Sequence, residues 1–274
     1  MDTPMLRSRF STAVAFAGAA GLAVLLALGA RNAPVRADAV AYDPAALPTG
    51  PLGDSIRLGH DIIEDPHKYL PKNVVSDMSC AACHVSTGTV SHAGSFVGTY
   101  GRFPQWNKRS GRVIALQDRL AECFLYSMNG YPPSYNSKEM IAMVAYISYL
   151  SRNVPVGQKD DQSFLVPLPS SSPDLKHGES IYAQSCSKCH QANGAGIHDT
   201  FPPLWGAASF NNLAGMAHID RMAGFVHYNM PMDKPGSLSL ADSYDVAAWV
   251  LSHERPKFDR DRPVSQDVEP ASYF

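Results

Sequence analysis

Three things are scarce in this chain. Charge is the first: Lys, Arg, Asp and Glu make up 18% of the 274 residues and nearly cancel, leaving a formal net charge of −2 at pH 7. Without a basic excess there is no electrostatic footprint for nucleic acid. Strand-like alternation of any useful length is the second, and its absence argues against sandwiches and barrels and for helices. Cysteine is the third. There are five, an odd number, so disulfide pairing alone cannot account for them. At 45% apolar residues the chain is globular rather than disordered.

What is present begins with the cysteines. Four of them form Cys80-Ala81-Ala82-Cys83-His84 and Cys186-Ser187-Lys188-Cys189-His190. C-x-x-C-H is the attachment signature of a c-type haem. Its spacing lets two thiols reach neighbouring vinyl groups of one porphyrin while the next residue, a histidine, faces the iron. A single copy could equally be a redox pair or half of a zinc site, but two copies in an exported chain point to two covalently bound haem c groups. The export signal is Arg7 and Arg9, an apolar run from Ser11 to Ala30, and a small-x-small cleavage site at Ala37-Asp38-Ala39. The same apolar run is about long enough to span a bilayer if it stays uncleaved. Either way the body lies outside the cytoplasm, and the expected location is the periplasm.

The rest of the chain reads as two copies of one unit. Gly59-His60-Asp61-Ile62-Ile63 parallels Gly178-Glu179-Ser180-Ile181-Tyr182 ahead of the two motifs, in helices where a glycine permits a close crossing. The first of these helices is expected to start near Asp54. Ala145-Tyr146-Ile147 parallels Ala248-Trp249-Val250, each in a run of helical periodicity with a polar N-cap, Ser137 in one and Ser239 or Asp242 in the other. The motifs are 106 residues apart and the alanines 103. The predicted organisation is all-α: a signal over 1–39, a first cytochrome c domain over 40–153, a Pro-rich linker over 154–173, a second cytochrome c domain over 174–260 and a polar tail over 261–274.

Each iron would need a ligand on its far side. In the second unit the candidates are His198, Met216, His218, Met222, His227, Met230, Met232 and Lys234. Met230 stands before Pro231 and ahead of the last helix, as the axial methionine of small cytochromes c does; Met232 and Lys234 remain rivals. In the first unit they are His92, Cys123, Met128 and Met140. Cys123, the unpaired cysteine, lies 39 residues after His84, and Met230 lies 40 after His190. The duplication therefore puts the lone thiol where the other unit has its ligand. The bland alternative is a buried, inert thiol. A thioether raises a haem's potential, and a thiolate feeds it electron density, so the first haem should have the lower potential.

Several segments resemble the tetrathionate-forming thiosulfate dehydrogenases. They are Ser79-Cys80 to Thr89, Phe103-Pro104-Gln105-Trp106, Arg109-Ser110-Gly111, Asp118-Arg119, Cys123-Phe124, Ser127-Met128-Asn129-Gly130, Phe201 to Gly206, Ser209-Phe210-Asn211 and Asn229-Met230-Pro231. The resemblance implies two cytochrome c domains, His/Cys ligation in the first and His/Met in the second, with Lys in some members. Two departures stand out: Tyr126 occupies the place of a usual Arg, and Leu120-Ala121 that of a usual Ile-Asn.

Joining two thiosulfates removes two electrons, which two haems can hold together. The substrates are dianions, best gathered by guanidinium groups. Lys108, Arg109, Arg112 and Arg119 precede Cys123 and could be no more than a solvated basic stretch; the resemblance favours Arg109 and Arg119 as catalytic partners of Cys123. The implied reaction binds thiosulfate at Cys123, forms a sulfur–sulfur bond there, and releases tetrathionate when a second thiosulfate attacks. Electrons would leave through the second haem to a small cytochrome c or a high-potential iron–sulfur protein. The alternatives are a non-catalytic dihaem electron carrier, a haem–thiolate subunit of a sulfur-oxidising multienzyme system, and the same site running as a tetrathionate reductase.

Overall fold

Two glycines set the architecture. In the computed structural model, which describes residues 42–157 and 165–261, helix α1 (Pro51–Glu64) starts directly after Gly50, whose φ of +81° suits glycine. Pro51 takes the first helical position, where its missing N–H costs nothing. The helix therefore begins three residues before the expected Asp54. It buries Gly53, Ile56, Gly59, Ile62 and Ile63, a stripe of helical period. A Cβ on Gly59 would run into the Ala142 carbonyl and sit 2.9 Å from Tyr146 Cβ. The partner is helix α3 (Lys138–Leu150), whose Ser137 hydroxyl accepts the Met140 N–H at 3.2 Å.

The second unit repeats this crossing. Helix α4 (Leu175–Ile181) is capped by Asp174, whose carboxylate accepts the N–H groups of Lys176 and His177 at 2.9 and 3.0 Å. A Cβ on Gly178 would strike the Asp245 carbonyl and sit 2.9 Å from Trp249 Cβ in helix α6 (Leu240–Leu251). Ser239 and Asp242 cap α6 reciprocally. Tyr146 and Trp249 thus occupy the same seat in the two units, as the sequence repeat implies. Helices α2 (Leu116–Glu122) and α5 (Ile219–Asn229) complete the pair.

A hairpin interrupts the all-helical scheme. Strands β1 (Gln105–Asn107) and β2 (Arg112–Ile114) pair antiparallel with Trp106 opposite Val113. Three residues a side are too few for alternation to be legible in the sequence.

The two units are joined side by side. Asn211, fully buried, donates from Nδ2 to the Leu125 carbonyl at 2.9 Å and to Asn129 Oδ1 at 3.2 Å, and its N–H reaches the Tyr126 carbonyl at 3.1 Å. The Asp77 N–H donates to the Ala208 carbonyl at 2.8 Å. Val90 and Ala93 of the first unit pack with Phe225, Met216 and Met230 of the second. Among the described residues no helix is long and apolar enough to cross a membrane. The proposed signal, the middle of the linker and nearly all of the tail lie outside the described residues; the described parts of 154–173 contain no helix or strand.

Candidate haem sites and the Cys123 pocket

Both motif histidines are held in the same way. His190 Nδ1 lies 2.9 Å from the Pro202 carbonyl, and His84 Nδ1 faces the Gly94 carbonyl. A carbonyl can only accept, so Nδ1 carries the proton and Nε2 keeps its lone pair for a metal. Burial pushes both imidazoles below their usual range, that of His84 to about 4, and the neutral ring is the ligating form.

The paired thiols lack the depressed pKa of a redox dithiol. Cys80 and Cys83 are pushed up to about 12, first by burial and then by neighbouring sulfurs, Cys123 among them, and Cys186 to about 11 by burial. Redox C-x-x-C pairs have depressed values. None of the five cysteines is in a disulfide. One continuous cavity of about 1280 Å³ touches both motifs: Met78, Ser79, Ala81, Ala82 and Cys83 on one side, and Cys186, Cys189 and His190 on the other. Free paired thiols, an imidazole with its lone pair available and an apolar-lined cavity fit a covalent haem.

Met216, Met222, Met230 and Met232 line that cavity, so the second unit offers four thioethers to one space. Met230 sits at the C-terminal end of α5, half-buried, with its N–H on the Val226 carbonyl at 2.9 Å. Met232 is 59% exposed. Lys234 and His218 are exposed and absent from the lining, and the half-buried His227 is absent from it too, its Nδ1 3.0 Å from the Leu238 carbonyl. His198 is exposed beside Asp77 at 3.3 Å.

In the first unit Cys123 opens a π turn (Cys123–Ser127) that continues α2. Met140 is fully buried in α3, Met128 is buried behind the turn, and His92 stacks on Tyr228 of the second unit at 4.5 Å. Cys123 lies close enough to Cys80 and Cys83 to help raise both of their thiols. Burial raises its thiol, Glu122 raises it further, and Arg119 and Arg109 pull it back.

The basic residues separate. Arg119 Nη1 donates to Glu122 Oε2 at 2.9 Å and is held charged above all by the nearby Cys123 sulfur. Arg109, exposed on the hairpin turn, lays its guanidinium 4.3 Å from the Tyr126 ring centroid and donates from Nη2 to the Leu213 carbonyl at 2.8 Å. Arg112 turns instead to Asp118 at 3.1 Å.

Two supporting residues escaped the sequence reading. Asn107 accepts the Arg109 N–H at 2.8 Å and donates to Glu122 Oε1 at 2.7 Å. Glu122, only 4% exposed, therefore ties the hairpin and Arg119 to the residue before Cys123. Arg next to Glu at i, i+3 hinted at the second link; nothing local announced the first.

Tandem helical units with capped motif histidines define a c-type cytochrome carrying covalently bound haem. The SoxA/TsdA cytochrome c domain model matches residues 69–156, and that of the cbb3-type cytochrome c oxidase subunit III matches residues 173–250. The thiosulfate dehydrogenase of Allochromatium vinosum is 41% identical over 262 residues, covering 91% of this chain and 96% of that one. That of Stutzerimonas stutzeri is 38% identical, covering 77% and 71%. A solved thiosulfate dehydrogenase (TsdBA) from Marichromatium purpuratum superposes with a TM-score of 0.75 at 32% identity over 78% of this chain, which spans about half the length of that longer one. The chain belongs to the thiosulfate dehydrogenase family.

Proposed function

We infer that this protein is a periplasmic dihaem oxidoreductase that joins two thiosulfates into tetrathionate. The observation that supports this reading is the Cys123 sulfur lying within electrostatic reach of Cys80 and Cys83 of the first haem-attachment motif and of Arg119 and Arg109. One haem c would be held by Cys80, Cys83 and His84 in a domain over 40–153, the other by Cys186, Cys189 and His190 in a domain over 174–260. Cys123 and Met230 would be the further iron-holding residues of the first and second domain. Bound haem would supply the one-electron acceptor chemistry, and the external acceptor would be a small cytochrome c or a high-potential iron–sulfur protein.

The chain's own groups do the rest. Arg119 and Arg109 hold the sulfonate oxygens and screen the repulsion between dianions. Released from its metal-holding role, the Cys123 thiolate forms a bond to the outer sulfur of one thiosulfate, giving Cys–S–S–SO₃⁻ with loss of two electrons to the acceptor. The second thiosulfate attacks that outer sulfur, the Cys–S bond breaks, tetrathionate leaves and the thiolate returns. Arg119 offsets the charge on Cys123 when it leaves as a thiolate.

The test is steady-state oxidation of thiosulfate by the purified protein with ferricyanide or a cytochrome as acceptor, with tetrathionate identified as product. No turnover from protein carrying both haems would overturn the reading.

A further inference from the structure

The first unit sets two arginines near Cys123, and a third guanidinium approaches them from the second unit. Arg109 of the hairpin grips the Leu213 carbonyl. Arg221, near the start of α5, has Nη1 3.1 Å from where a Cβ of Gly215 would stand. The two guanidiniums therefore lie on one short stretch, Leu213–Gly215, approaching from different domains. The turn Gly215–Ala217 packs on the Cys123–Ser127 turn, so this stretch borders the proposed reacting sulfur.

Arg221 is half-buried, yet among the described residues no hydrogen bond or ion pair holds its guanidinium. Its neighbour Asp220 turns back to accept the Arg221 N–H at 2.9 Å. Burial, and then the charges of Arg119 and Arg109, push its pKa down, against a partial offset from Asp220. A half-buried cation facing two like charges is unfavourable without a counter-charge. An anion bound among the three would supply it.

We propose that Arg221, reaching across from the second domain, is a third ligand for the oxyanion groups of a dianion bound beside Cys123. This rests on the thiosulfate reading above and assigns the second domain a part in binding substrate. Tyr126, standing where the family usually has Arg, is 3% exposed and occupied as the platform for Arg109, so the charge missing there is made up by Arg221.

Arg221→Gln tests it. Losing a charge-assisted hydrogen bond is worth roughly a 10- to 100-fold change, so KM for thiosulfate should rise about tenfold or more while kcat stays within about threefold, with haem content and the visible spectrum unchanged. Sulfate, a dianion that cannot react, gives a second readout: at fixed ionic strength it should raise the melting temperature of the wild type more than that of the variant. Arg221→Met, which keeps the buried stem, serves if the first variant does not fold. Equal KM values together with equal sulfate shifts overturn the proposal while leaving the thiosulfate reading intact. Should the wild type fail to turn over thiosulfate, that reading falls and the sulfate comparison alone decides Arg221: a smaller shift in the variant sustains it as a dianion ligand, an equal one removes it.

Discussion

At the scale of single residues, the cysteines were the legible part. The two C-x-x-C-H runs declare their chemistry through spacing, and Cys123 stood out because the repeat placed it opposite Met230. Cys123→Gly should abolish turnover and leave both haems in place, read by the pyridine haemochrome spectrum; retained activity would remove the proposed mechanism. Tyr126 was legible only as a departure. Its position under Arg109 gives it a purpose, because a guanidinium over an aromatic face gains about 1 kcal/mol. Tyr126→Ala should therefore raise KM for thiosulfate about fivefold, and Tyr126→Phe should raise it much less. Asn107 and Arg221 were not legible, and Glu122 only through its i, i+3 spacing from Arg119. The other contacts lie a hairpin or a domain away, and no local pattern records them.

Among the elements, helices with a long apolar stripe were readable and short ones were not. The α1/α3 and α4/α6 crossings follow from Gly59 and Gly178, each preceding a bulky apolar pair. The start of α1 was misplaced because Gly50-Pro51 looked like part of the Pro-rich lead, whereas it makes the helix N-terminus. Gly59→Ala pushes a methyl into the Ala142 carbonyl, a backbone atom that cannot rotate away. It should cost about 3 kcal/mol by overpacking, seen as a lower denaturation midpoint at unchanged slope. The β1–β2 hairpin is held by side chains more than by its own ladder: Asn107 shapes its turn and fastens it to α2. That is why such short strands can hold the turn that presents Arg109.

For the molecule as a whole, duplication was readable but the way the copies meet was not. Asn211 shows why. Its sequence setting, Ser209-Phe210-Asn211, says nothing of Leu125 and Asn129, more than 80 residues earlier. Asn211→Ala would leave the buried Leu125 carbonyl without its side-chain partner. It should lower stability by about 2 kcal/mol and raise KM for thiosulfate, because Arg109 leans on the adjoining Leu213; unfolding and kinetic measurements on one preparation would check both. The fastening of the hairpin to Glu122 reaches further still. Glu122 precedes the proposed reacting sulfur, and the loop it anchors carries exposed Lys108 at the protein's rim. Events at the sulfur therefore have a stiff lever to the outside, and limited trypsin nicking after Lys108 should slow when thiosulfate is engaged, letting a gel band report what happens in the interior.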